Sequence, residues 1–431
     1  MLRLTQPLLA AACLALSLPL AAQAPATAPT RTVIHAGTLI DGVADQAKSD
    51  QGILVEDGRI TAVGPWAAIR AQAGSATMID WSAQTVMPGL IDAHTHVLLQ
   101  GDITQLEWDD QLLRESIPYR AIRATAAARR ALDQGFTSIR DLGTEGAMYA
   151  DVDLKRAIQR GVVPGPRMSV ATRAFAPTGK YPPGGFSWEL QLPGGVQFAD
   201  GVEEIRKAVR DQVSHGADWI KVYVDGGYYL ADDGRLRSSP NYTDEELEAF
   251  VQEAHRLGRK VAGHAMAWDG IDMALRHGFD SIEHGVGFTP DLLDRAAKQG
   301  TAWCPTIYVV AYVAPGRGGI WQKLVDMEAI AVREGVRRGV QITYGTDAGG
   351  FAWTEPEASD FGYLVRYGMT PMQAIRAATT VAAKMLGQEA QVGSVQVGRF
   401  ADLIATDRNP LDDITVLTDV RHVMKGGVVV R

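Results

Sequence analysis

Hydrophobic and polar positions change texture twice along the chain. From about residue 31 to 87, short alternating segments (TVIHAG, QGILVEDGRITAVG, ATMIDWSAQTVM) are separated by turn residues, and the same texture returns from about 391 in GSVQVGRFADLIATD and ITVLTDVRHVMKGGVVVR. A period of two predicts strands with one buried face. The two end segments are expected to join in one small β-sandwich domain, 31–87 plus 391–431. Between them a polar helical stretch repeatedly ends at a glycine and an apolar run follows, as in DQGFTSIRDLG, SHGADWIKVYVDGG, RLGRKVAGHA, RHGFDSIEHG, KQGTAWCPTI and RRGVQITYGTDAG. Glycine just past a helix supplies a left-handed cap, and the apolar run is the next strand. With VMPGLIDAHTH at the front and GPRMSVATRAF third, eight strand candidates alternate with helical segments such as VEEIRKAVRDQVS and TDEELEAFVQEAHR. This predicts an α/β chain with a (β/α)8 TIM-like barrel over 88–390.

The first residues have a different character. Arg3 precedes the apolar run PLLAAACLALSLPLAA and small residues around Ala22-Gln23-Ala24, the pattern of a secretory signal peptide over 1–24. The run is too short to span a membrane in the usual way; a retained anchor helix is the other reading. Cys13 lies inside this segment, so processing leaves only Cys304 and no internal disulfide. A periplasmic or secreted protein is expected, off the membrane once the signal is removed.

Composition narrows the partners. The 431 residues are 46% hydrophobic and 21% charged with a formal net charge of −8, which is enough for a full core and gives no bias toward nucleic acid. A small-molecule substrate is expected, and a homo-oligomer is left open.

Functional residues of such a barrel stand at the C-terminal ends of its strands. Strand 1 ends in His94 and His96, whose spacing of two puts both imidazoles on one face. Strand 4 carries Lys221 in ADWIKVYVDGG, strand 5 ends in His264, strand 6 in His284, and Asp347 follows strand 8. The other five of the nine histidines have bland explanations: His215 and His277 precede helix-closing glycines, His255 lies within a helix, and His35 and His422 belong to the end segments. A lysine among Trp219, Ile220, Val222 and Val224 is poorly solvated and needs a partner or a modification. An ion pair with Asp225 is one answer. The other is carboxylation of the amine by carbon dioxide, giving a carbamate whose oxygens bridge two divalent ions. Two ions bring about +4 against about −3 from carbamate, Asp347 and a bridging hydroxide, a balance tolerated beside a carbonyl developing negative charge.

The stretches MPGLIDAHTHV, IKVYVDGG, AGHA, IEHG and YGTDAG, in this order, resemble the signature motifs of the metal-dependent amidohydrolase superfamily, in its binuclear branch with a carboxylated lysine. The likeness covers the barrel and both end segments. Within the superfamily the chain is similar to Xaa-Pro dipeptidase and carboxypeptidase-like members and to ochratoxin A amidohydrolases. The resemblance implies that His94, His96 and Asp347 hold the more buried ion, that His264 and His284 hold the other, and that N6-carboxylated Lys221 bridges them. It implies two divalent ions, with zinc expected although cobalt and manganese suit the same donors. It further implies that the bridging hydroxide attacks an amide carbonyl, Asp347 acting as general base and then acid. His284, Lys221 and Asp347 form the catalytic set.

Substrate choice is expected in the loops. TGKYPPGGFSWELQLPGG after strand 3 carries Tyr181, Phe186 and Trp188, while Trp268, Trp303, Tyr308, Phe351 and Trp353 follow or belong to later strands. These aromatics predict an apolar ligand, and Arg140, Arg173, Lys180, Tyr223 and Tyr228 are candidates for a substrate carboxylate, a structural ion pair with Asp141 or a neighbour being the other reading of Arg140. Tyr223, Tyr228, Arg173, Lys180, Trp268 and Trp353 make up the expected substrate-binding set. The expected activity is hydrolysis of an N-acyl amino acid or dipeptide with an apolar or aromatic C-terminal residue, ochratoxin A among the test compounds. Cyclic-amide hydrolysis or deamination and a non-enzymatic solute-binding role are the alternatives; Lys221 argues against the first, and the complete ligand set against the second. The exported protein is expected to begin between residues 23 and 29, as read by N-terminal sequencing of periplasmic or medium fractions. Met1 on exported protein would contradict it.

Overall fold

The computed structural model describes residues 31–101, 105–181 and 183–431. The proposed signal peptide lies outside the described residues. Among them, no helix is long and apolar enough to cross a membrane.

Both chain ends meet in one sheet. Its seven strands run, edge to edge, Val428–Val429, His422–Lys425, Leu403–Thr406, Thr77–Pro88, Arg31–Leu39, Lys48–Glu56 and Arg59–Pro65. The join is antiparallel, with Leu403 opposite Pro88 and Thr406 opposite Thr85. Alternation sends Ile34, Ile53, Val86 and Leu403 into one buried cluster and Val33 and Leu54 into another, which the helix Trp66–Gln72 completes through Ile69. The two end segments thus form one continuous sheet, whose last strand bonds back to the chain at 399–401 and one of whose faces is covered by the helix.

The middle of the chain alternates parallel strands with helices in a TIM-like α/β arrangement. Strands 1 to 3 (Leu90–Thr95, Phe136–Asp141, Arg167–Val170) form one parallel sheet. Strands 4 to 7 (Trp219–Tyr223, Lys260–Ala265, Ser281–His284, Ala302–Cys304) form another, extended by Phe175–Ala176 and Gln197–Phe198. Helices close as the sequence predicts: Gly216 at φ 113° and Gly339 at φ 71° take the left-handed cap. Asp402 ties the end sheet to this unit by accepting from the Arg167 guanidinium at 2.7 Å, while Arg167 lies 3.7 Å over Phe400.

Two expected strands are not regular. The third breaks at Thr172, whose φ is 59°, and resumes at Phe175, opposite Val222. The eighth, around 341–347, makes isolated bridges instead of a ladder, yet it bonds on both sides: Thr343 N donates to Trp303 O at 2.8 Å and Asp347 N to His94 O at 2.7 Å. The segment is closely packed: a Cβ on Gly345 would stand 2.2 Å from Cys304 Sγ and 3.0 Å from His94 Cβ. Gly345→Ala is expected to destabilise the protein by about 1–3 kcal/mol through overpacking, read as a lowered urea midpoint. An unchanged midpoint would show that this segment has room.

Candidate active site

Side chains from five strand ends converge. His94 and His96 leave strand 1 with ring centroids 5.4 Å apart, His284 lies 5.1 Å from His94, and His264 lies 4.5 Å from His284. His284 is the last residue of strand 6 and Asp347 follows the irregular eighth segment; their φ values of 69° and 62° are left-handed. Such strain in non-glycine residues is characteristic of sites where geometry outranks local stability. Asp347 Oδ1 sits 3.2 Å from His96 Nε2 and 3.7 Å from His94 Nε2. His94, His284 and Asp347 each place one ligand atom within 4.8 Å of the others.

Most of these imidazoles are fixed from behind. Nδ1 of His94 faces Glu283 Oε2 at 2.9 Å, Nδ1 of His96 faces Gly143 O at 2.9 Å, and Nδ1 of His284 faces Thr306 Oγ1 at 2.8 Å. That leaves each Nε2 for the centre. On His264 it is Nε2 that meets the Tyr228 hydroxyl, at 2.7 Å. Glu283 is itself held by Arg140, whose NH2 donates to Oε1 at 2.8 Å while its Nε donates to Ala93 O at 2.6 Å. Arg140 is thus a buried support under His94: of its two expected readings the structure shows the structural ion pair, with Glu283 as the partner, and not a place at a substrate carboxylate.

Electrostatics prepare the same donors. Burial holds His94 and His264 well below the ordinary histidine range and pushes His284 down to about 4, so all three are neutral. Burial opposes a charge on His96 as well, but its hydrogen bond to Asp347 prevails and raises it to about 9. For Asp347, burial alone would raise the carboxyl; His94 and His96 outweigh it and keep it ionised below the usual carboxylate range.

Lys221 is 1% exposed, and among the described residues its Nζ has no hydrogen-bond partner. Burial lowers its pKa from the usual lysine value. The ion pair with Asp225 is absent: that carboxylate accepts from Ala267 N at 2.9 Å, Met266 N at 3.2 Å and Ser238 Oγ at 3.0 Å. Three neutral imidazoles, a fourth paired with an ionised carboxylate, and a buried amine with no hydrogen-bond partner among the described residues fit a site for divalent cations.

The centre opens into a cavity of about 400 Å³. Tyr223, Tyr228 and Lys180 line it, as expected. Three expected contacts do not. Arg173 turns aside because its NH2 donates to Val196 O, Trp268 packs under the Arg237 guanidinium, and Trp353 is buried with its indole N–H on Leu99 O. Phe186 and Trp188 are exposed outside it. The apolar wall comes instead from Val309, Val310, Val313, Trp321, Leu99 and Trp108. Glu145 was also missed; it lines the cavity, accepts from Trp108 Nε1 at 3.0 Å and from the Tyr223 hydroxyl at 3.1 Å, and lies 4.0 Å from His96 Nδ1. Glu283 had a signal of the kind that marked Lys221, a charge inside a short apolar strand.

Residues 85–430 match the amidohydrolase family. The chain belongs to this family. It is accordingly a hydrolase acting on C–N bonds, in a family that generally binds divalent metals. Residues 52–76 also match an imidazolonepropionase-like composite domain of bacteria, within the end sheet and away from the cavity. The amidohydrolase is 32% identical to the ochratoxinase of Aspergillus niger over 427 residues, covering 92% of this chain and 86% of that one. A solved Xaa-Pro dipeptidase with methionine bound in its active site matches with a TM-score of 0.82 and 33% identity over 93% of this chain and 99% of the other. A prolidase complexed with N-methylphosphonate-L-proline matches with a TM-score of 0.82 and 28% identity over 93% and 100%.

If Glu283 fixes the ring of His94, Glu283→Gln should weaken metal binding about 10- to 100-fold. Competition with a chelator of known affinity measures it. Unchanged affinity would show that the contact at the back of the ring is dispensable.

Proposed function

We propose that this amidohydrolase hydrolyses the amide bond of N-acyl amino acids or dipeptides whose C-terminal residue is apolar or aromatic, ochratoxin A included. The observation that carries the reading is the buried, unpartnered amine of Lys221 beside His94, His264, His284 and Asp347. Burial favours the neutral amine, the form that reacts with carbon dioxide: Nζ bonds to the carbon, a proton leaves to solvent, and a carbamate anion results. Lys221 would thereby become an oxygen donor shared by two cations, zinc on this reading. His94, His96 and Asp347 would hold one, His264 and His284 the other.

When bound, the cations supply Lewis acidity toward the amide carbonyl and the attacking water. Asp347, ionised at the cavity floor, receives the water's proton and delivers it to the departing nitrogen, without which an amine is a poor leaving group. Burial keeps Tyr223 and Tyr228 as neutral phenols, able to donate to substrate oxygens. The valine wall accommodates an apolar side chain and excludes water around it. The names of the ochratoxinase and Xaa-Pro dipeptidase relatives support an amide to a C-terminal amino acid. Export to the periplasm or medium is part of the same reading.

Lys221→Ala is expected to reduce metal from about two ions per chain and to lower kcat/KM on an N-acyl-phenylalanine by more than about 100-fold, with partial rescue by formate or propionate. Two retained metals and a normal rate without added acid would contradict the carbamate.

A further inference from the structure

A carboxylate stands inside an aromatic box on the His96 side of the cavity. Glu145, in the loop after strand 2, is 2% exposed, and Trp108, Tyr181 and Tyr223 line the cavity with it. Tyr181 lies edge-on to Trp108 with ring centroids 5.1 Å apart and tilts against Tyr223 at 4.5 Å. Trp108 Nε1 donates to Glu145 Oε2 at 3.0 Å and the Tyr223 hydroxyl to Oε1 at 3.1 Å, and a carboxylate oxygen has two lone pairs, so each keeps capacity to accept. Gly195 backs the box: a Cβ there would stand 2.5 Å from Trp108 Cζ2 and 3.3 Å from Tyr181 Cε1. Glu145 and Tyr181 both take left-handed φ values, 47° and 59°, the strain seen also at His284 and Asp347.

We infer that Glu145, with the rings of Trp108, Tyr181 and Tyr223, binds the free α-ammonium of a dipeptide's N-terminal residue. The inference rests on the proposed amide hydrolysis and narrows its substrates, favouring free dipeptides over N-acyl amino acids. Among the described residues the ion-pair contact of Glu145 is the His96 ring, 4.0 Å away at Nδ1, and the proposed function commits that ring to a metal. Arg120, whose charge reaches Glu145, directs its own donors to the Leu98 and Thr144 carbonyls. A carboxylate out of water without a cation in contact is costly, and an acid among aromatic rings is suited to an ammonium. Standard bond lengths put the α-nitrogen about 2.5 Å from the scissile carbonyl carbon, so its receptor must adjoin the histidine centre. Glu145 does so at His96, whereas the valine wall of the helix Ile307–Arg317 adjoins His284 through Thr306. The two halves of a dipeptide thereby meet different walls. Lys180, next to Tyr181 in the chain, is exposed, and solvent screens its charge.

The test compares kcat/KM for alanyl-phenylalanine and for propionyl-phenylalanine, which carries hydrogen in place of the ammonium, in the metal-loaded wild type, Glu145→Gln and Tyr181→Leu. The wild type is expected to prefer the dipeptide. Glu145→Gln keeps an acceptor for Trp108 and should lower that preference about 10- to 150-fold, the range for a hydrogen bond to a charged group. Tyr181→Leu, at a half-buried position, should lower it about 2- to 5-fold through loss of one ring. The ammonium's own effect on carbonyl reactivity is the same in every preparation, and the ratio is internal to each, so partial folding or partial metal loading does not distort it. A ratio that is unchanged in Glu145→Gln, or a wild type that prefers propionyl-phenylalanine, would overturn the ammonium site and leave the proposed activity standing. No hydrolysis of either compound by the wild type would remove both.

Discussion

Burial of the Lys221 amine with no hydrogen-bond partner among the described residues is the condition on which the rest of this site depends. Taking an ammonium out of water is costly, and burial shifts this amine toward its neutral form. Three imidazoles conform: His94, His264 and His284 are neutral, while His96 is charged beside Asp347, which the histidines and not the lysine keep ionised. On the proposed reading the lysine itself would become an anion, and carboxylation would supply charge to balance two cations where a strand can position it.

The framework serves the same end. Strands place ligands from parallel neighbours side by side, as the register of Tyr223 opposite His264 illustrates. The buried Glu283–Arg140 pair then fixes the ring of His94 from beneath, while Thr306 does so for His284 and opens the helix that walls the cavity. Support for His284 and the cavity wall are thereby continuous in one element.

The convergence of the candidate ligands was legible in the sequence because each member breaks a local rule: a charge or an imidazole stands within, at the end of or just after an apolar strand. The alternation of strand and helix was legible for the same reason, as were the glycine caps. What was not legible depends on packing between distant segments. Nothing local distinguishes Arg173, turned to the Val196 carbonyl, from Arg317, turned into the cavity. Trp353 and Trp268 read as mouth aromatics, yet one is buried against Leu99 and the other lies under Arg237. The valines of Ile307–Arg317 look like core until the cavity beside them is seen. The close packing at Gly345 in the irregular eighth segment involves Cys304 and His94, far apart in sequence.

The most direct test of the account is to observe the carbamate itself. Metal-stripped protein reconstituted with the metal and 13C-bicarbonate should show one carbamate carbonyl resonance, retained after free bicarbonate is removed and absent from Lys221→Ala prepared in the same way. A fully active, two-metal wild-type protein with no such resonance would contradict the account.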